Sequence, residues 1–238
     1  MSTGIYVATA GAVAQSQALD ATANNIANAN TDGFHGDRVS FKETLTSARS
    51  PDIAMVSTQT AHVLDGAHGA LMETNNPLDL ALEGDGLFAV QTPDGTRYTR
   101  AGNFQLDDQH KLVTRDGYSV LGAGGQPIVM PPAARAIAVD RDGNITADGA
   151  QVAKLELVRF APSQLARQGG SMYAATGQPI GGDPPHVRAG VLESSNVNVV
   201  RGVVDLVKVS RTYESLMQMI QGYHDVEQRA ARELGTPK

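Results

Sequence analysis

Residues 199–220 read VVRGVVDLVKVSRTYESLMQMI. Val199, Val203, Leu206, Ser210, Tyr213, Met217 and Ile220 step alternately by four and three over three heptads, the a/d seam of a helix that packs against another helix. Asn196 or Asn198 is placed to cap its start. The pattern predicts a helix from Val199 to Leu234, about 54 Å long at 1.5 Å per residue. Gly202 interrupts it and costs the early helix about 1 kcal/mol relative to Ala. A rod of this length is hard to cover with a small domain. Two readings stay open for Tyr213 and Met217: a core within the chain, or the core of a tube built from several copies.

The other end of the chain carries a second stripe. Ile5, Ala8, Ala12, Gln15, Leu19, Thr22 and Ile26 also step by three and four. Their neighbours are mostly Ala, Gly and Ser, so this face buries little apolar area alone, and an isolated helix of this kind is marginal. Small residues do permit close approach of a partner helix. The helix is expected to end among Asn24, Asn25, Asn28 and Asn30, whose side chains suit capping and backbone satisfaction. Thr31-Asp32-Gly33 then signals a turn, with Gly33 suited to a positive φ.

Between the ends the pattern changes to short strands. Leu80–Leu82 and Leu87–Val90 are apolar runs divided by Gly84-Asp85-Gly86, and Asp94-Gly95, Asp116-Gly117 and Asp142-Gly143 are turn dipeptides between strand-like runs. From His35 to about Gly69 the signal is weaker and suggests extended chain with short strands. The expected fold is therefore mixed and mainly β: an antiparallel all-β central domain flanked by N- and C-terminal helices that pair as a coiled coil. Its expected divisions are 1–34, 35–190 and 191–238. Two amphipathic termini suggest that paired helices pack against the same pairs of other copies, and repeated non-closing contacts of that kind build a helical filament.

Composition narrows the function. The 238 residues include 41% hydrophobic and 5% aromatic residues, no Trp and no Cys, with a net charge of −6. The absence of Cys excludes disulfides and thiolate metal sites. Scattered Lys and Arg in an acidic chain argue against nucleic acid. No run of 18 apolar residues predicts membrane insertion, and the first residues lack the pattern of a cleaved signal peptide. Gly84-Asp85-Gly86 lacks the spacing of a phosphate loop. Asp140-Arg141-Asp142-Gly143-Asn144 has its glycine too early for a calcium loop and Gln151 where the closing Glu belongs. The histidines His35, His62, His68, His110, His186 and His224 form no HxxxH or HExxH, and satisfied or surface positions are expected for them. Ser16, Ser40 and Ser163 have no nucleophile-elbow setting. No catalytic residue, metal set or cofactor is indicated, and a non-enzymatic role is expected.

Three stretches resemble the flagellar rod and hook family. They are ANNIANANTDGF (residues 23–34); NPLDLALEGDGLF (76–88) with YTRAGNF (98–104) and DGYSVLG (116–122); and SNVNVV (195–200) with RTYE (211–214). They span nearly the whole chain in the family's order. The brief linker between Phe34 and Asn76 resembles that of proximal-rod members; distal-rod members usually carry an insertion there. The resemblance implies an axial subunit that assembles with copies of itself and with other rod proteins, the distal-rod subunit included. It implies export, unfolded and uncleaved, through the flagellar type III apparatus, and a place in the basal-body rod within the periplasmic space. It implies that the terminal helices form an inner tube, with assembly contacts at Ile5, Ala12, Leu19, Asn24, Asn25, Ile26, Asn28, Gly33, Phe34, Asn196, Asn198, Val199, Val203, Leu206, Tyr213, Met217 and Ile220. A distal-rod or hook-like protein is the near alternative. A secreted β-domain adhesin with helical arms is the alternative of a different class, for which the chain offers few aromatics.

Overall fold

The computed structural model describes residues 2–47 and 54–234. Helix α1 covers Ser2–Ala27 and helix α2 covers Val199–Leu234, with eighteen strands between them among the described residues. The α2 limits match those expected from its periodicity, and α1 ends inside the asparagine-rich stretch. Asn198 is the cap of α2: its Oδ1 accepts the Arg201 backbone N–H at 3.0 Å. Neither helix is long and apolar enough to cross a membrane.

The chain forms two compact units. They do not follow the expected tripartite division. The first unit joins both helices to residues 37–63, and the second comprises residues 28–36 and 64–197. In the first unit, strands Asp37–Ser47 and Ala54–Leu64 pair with each other, and the former also packs along α1. These strands are longer than the weak apolar signal of that segment suggests. The hairpin belongs with the helices because α1 holds its first residue, as described below.

The second unit is the antiparallel β domain. Its main sheet has nine strands, with Leu87–Thr92 near the middle between Gly95–Thr99 and Ser119–Gly122. Five of the six residues of that central strand are buried, so it reads as a continuous apolar run rather than an alternating one. Three of the turn signals fall between strands as expected, Gly84-Asp85-Gly86, Asp116-Gly117 and Asp142-Gly143, and Asp94-Gly95 spans the end of a turn and the first residue of the strand Gly95–Thr99. Strand Leu80–Glu83 pairs with His186–Ala189, and Leu71–Glu73 pairs with Val191–Glu193. These two pairings fasten the last strands of the domain to its first. Leu80, Phe88, Val90, Phe104, Leu112, Val120, Ile128 and Ile145 form the centre of the core. Phe88 and Phe104 meet edge to face at 5.1 Å, a favoured aromatic geometry.

Candidate assembly interface

The helix pair of the first unit is built from small residues facing large ones. A methyl group on Gly4 would stand 2.9 Å from the Tyr223 hydroxyl, one on Gly11 would stand 3.4 Å from Leu216 Cδ1, and one on Gly202 would stand 2.9 Å from Ile26 Cγ1. Residue numbers rise along α1 as they fall along α2, so the helices run antiparallel. Ala8 and Ala12 are buried in the pair, and Ile5, Leu19 and Ile26 are half-buried. The expected stripe of α1 is thus buried or half-buried at these positions, and Gly4, Gly11, Ala14 and Ala21 extend the packed surface beyond it.

On α2 the seam differs from the expected one. Leu206, Tyr213 and Ile220 are half-buried as expected, and Gly202, Val209 and Leu216 are half-buried beside them. With Tyr223 they give the series 202, 206, 209, 213, 216, 220 and 223, which also steps by four and three. Val199, Val203 and Met217 lie outside it and are exposed. Reading only apolar side chains hides this seam, because Gly202 adds no apolar area and instead makes room for Ile26. The outer side of α2 is left with an apolar strip. Val200 is 76% exposed and Val204 49%, with Val203 and Val207 at 46% each. These four valines sit at i, i+3, i+4 and i+7, one face of a helix. Tyr6, Val7 and Val13 of α1 are exposed as well.

The asparagine-rich stretch divides its work between the two units. In the first, the Asn25 side chain grips the Asp37 backbone twice: Nδ2 donates to the Asp37 carbonyl and Oδ1 accepts the Asp37 N–H, both at 2.8 Å. That pair of hydrogen bonds fixes the start of the hairpin against α1. Asn24 is exposed. In the second unit, Asn28 accepts from Thr31 through its carbonyl and its side chain, closing the turn. Gly33 has φ +63°, and a Cβ there would lie 2.3 Å from the Ala101 backbone nitrogen. Phe34 is fully buried under the Arg167 guanidinium, 4.4 Å from its ring centre. Asn196 accepts the Gly36 N–H at 2.8 Å and donates to the Ala67 carbonyl at 2.8 Å. Gly33, Phe34 and Asn196 are therefore internal fastenings of the β unit.

One cluster was invisible in the sequence. Glu193, 2% exposed, ends the strand Val191–Glu193. Its Oε2 accepts from Arg100 Nε, and its Oε1 accepts from the Gly69 backbone at 2.9 Å and lies 3.1 Å from His35 Nε2. Arg100 also donates to the Gly86 and Leu82 carbonyls at 2.7 and 2.8 Å. Burial alone pushes the Glu193 carboxyl up, but hydrogen bonding from His35 and the charge of Arg100 outweigh it and hold the group at about 2. The partners come from residues 35, 69, 100 and 193, a separation with no spacing signature.

The chain is similar to known proteins over its whole length. Residues 5–35 match the family described as flagella basal body rod protein, residues 81–147 the flagellar hook protein FlgE/F/G D1 domain, and residues 188–233 the flagellar basal body rod FlgEFG protein C-terminal region. The chain is 33% identical to the flagellar basal-body rod protein FlgF of Mesorhizobium japonicum over 240 residues and 35% identical to FlgF of Rhizobium meliloti over 239, covering 99% of each chain in both cases. It is 35% identical to the flagellar basal-body rod protein FlgG of Bacillus subtilis over 236 residues, 85% of this chain and 88% of that one. The chain belongs to the flagellar basal-body rod proteins and is a FlgF-like structural rod subunit.

Proposed function

We propose that this subunit is an axial, non-enzymatic component of the proximal rod that assembles through the outer face of its helix pair. Copies of the chain pack side by side into a tube that surrounds the export channel and carries torque. Other rod proteins, the distal-rod subunit among them, continue that tube. The chain reaches its place in the periplasmic part of the basal body through the flagellar type III apparatus, without a cleaved signal peptide.

The observation that carries this reading is the valine strip Val200, Val203, Val204 and Val207 on α2. The seam toward α1 uses other positions, so the strip is available to a second helix pair. Apolar surface left in water on a long helix is a cost that burial between copies removes. The 35% identity to a FlgG keeps the distal rod as the second reading.

The test is the double substitution Val200→Asp and Val204→Asp in the cell that makes the protein. The isolated variant is expected to keep its circular dichroism. Swimming is expected to stop, and electron cryotomography is expected to show rods that fail within the proximal segment. Normal rods in the variant would overturn the proposed face. Rods that stop only after the proximal segment would move the subunit to the distal rod.

A further inference from the structure

His35, His68 and Glu193 meet in the second unit although 33 and 125 residues separate them along the chain. His35 Nε2 and Glu193 Oε1 are 3.1 Å apart, His68 Nδ1 and Glu193 Oε1 are 3.7 Å apart, and the three donor atoms all lie within 4.8 Å of one another. In a tetrahedral zinc site with bonds of about 2.0–2.1 Å, donor atoms stand roughly 3.3 Å apart. The His35–Glu193 spacing has that size, and the His68 donor stands farther out.

The outer atoms of the cluster are arranged as well. His35 Nδ1 lies 3.1 Å from the Asp65 carbonyl, an acceptor. When that nitrogen carries the proton, the Nε2 lone pair points at Glu193 Oε1. His68 Nε2 lies 3.5 Å from Asp85 Oδ1, which turns the Nδ1 lone pair inward. Imidazoles with a carbonyl or carboxylate on the outer nitrogen are the usual supports of a metal site, because they fix tautomer and ring orientation. Glu193 is held by its other oxygen through Arg100, so Oε1 is fixed in place. A small cavity opens beside the cluster, lined by His35, His68, Asp85, Arg100 and Tyr173.

We propose that His35 Nε2, His68 Nδ1 and Glu193 Oε1 form a structural site for a divalent transition metal, zinc being the best fit. Two imidazoles and one carboxylate suit zinc and not magnesium or calcium, which take oxygen donors. The site requires His68 to close on the other two donors. Its side chain is 42% exposed and is free to do so. Arg100 Nη2, 3.4 Å from His68 Nδ1, lets go of it and keeps its bond to the Leu82 carbonyl. The bound ion ties together residues 35, 68 and 193 in the same unit. The inference is independent of the proposed assembly face.

The competing occupant of the gap between His35 and Glu193 is the proton of a hydrogen bond from His35 Nε2 to Glu193 Oε1. Zinc binding separates the two. Full-length protein stripped with a chelator is titrated with zinc against a chromophoric chelator at neutral pH, and its thermal midpoint is measured with zinc and with magnesium. One zinc is expected per chain, with a rise in midpoint that magnesium does not give. His68→Ala is expected to weaken binding at least about tenfold, the scale of losing support at a metal site, and to abolish the rise in midpoint. Asp85→Asn is expected to weaken binding less. Both changed side chains are solvent-accessible, so the fold survives, which circular dichroism checks. Absence of saturable one-to-one zinc binding, or unchanged affinity in His68→Ala, would overturn the site and leave the proton in possession of the cluster.

Discussion

Gly202 of α2 packs against Ile26 of α1 so closely that a methyl group on the glycine would stand 2.9 Å from Ile26 Cγ1. Helix propensity alone says that Gly202→Ala gains about 1 kcal/mol. Packing says the opposite, because the added atoms must displace Ile26. We expect Gly202→Leu to lower the stability of the helix pair by about 1–3 kcal/mol, the usual cost of overpacking. Adding Ile26→Ala to it should recover part of the loss. Urea unfolding followed at the helical circular dichroism band measures both. Additive losses in the double variant would show that the two residues do not share a contact.

That glycine also shows where sequence reading stops. The α2 limits were legible because a long periodic pattern depends on local spacing alone. The seam toward α1 was legible at Leu206, Tyr213 and Ile220 and differs at Val199, Val203 and Met217, because apolarity marks a face without saying which of two apolar faces meets the partner. The turn dipeptides of the β unit were legible from residue type. The hairpin Asp37–Ser47 and Ala54–Leu64 was not, since its place depends on the grip of Asn25 on Asp37. Gly33 and Phe34 were singled out correctly as special, yet their reason is tertiary: Ala101 and Arg167 surround them. Glu193 carried no local signal at all.

Asn25 tests the hairpin attachment. Its amide both donates and accepts, matching a peptide group. Asn25→Ala removes both bonds and is expected to cost about 1–3 kcal/mol, the scale of leaving partly buried backbone groups unpaired. Asn25→Asp keeps the acceptor but sets a carboxylate against the Asp37 carbonyl, so it should cost at least as much as Ala. Amide hydrogen exchange at Asp37 reads the effect directly. An aspartate variant as stable as the parent would remove the amide pairing from the account.

Gly33 should tolerate no side chain. Its φ of +63° costs an L-residue roughly 1–2 kcal/mol, and the atom its Cβ would strike belongs to the backbone, which cannot rotate away. Gly33→Ala is expected to lower the thermal midpoint of the β unit and to reduce swimming through loss of folded subunit. A midpoint equal to the parent's would mean that the turn has another conformation open to it.

The Arg100–Glu193 pair makes a sharper energetic statement. Removing one partner of a buried pair typically costs about 3–5 kcal/mol, since the other charge is left without compensation. Arg100→Met alone and Glu193→Gln alone should each destabilise the β unit on that scale. The double variant should lose much less than their sum, because neither charge is then stranded. Denaturant unfolding of the two single variants and the double variant gives the coupling. Strict additivity would show that the two side chains act separately.

Asp32 offers a prediction whose sign depends on pH. Its carboxyl is raised above the ordinary 3.8 by partial burial first and by the Asp79 carboxylate second, while Arg115 pulls it down. A carboxyl whose folded value exceeds its unfolded value binds its proton more tightly in the folded chain. Stability therefore falls as pH rises from 3.8 through the raised value, and the penalty is complete above it. Asp32→Asn removes that penalty and retains an acceptor for Asn103, which donates to Asp32 Oδ2 at 3.3 Å. The variant is expected to melt slightly higher than the parent at pH 7 and to melt with it at pH 3, where the parent carboxyl is protonated in both states. A variant less stable at pH 7 would mean that the Asn103 bond needs a charged acceptor, and that this bond outweighs the repulsion from Asp79.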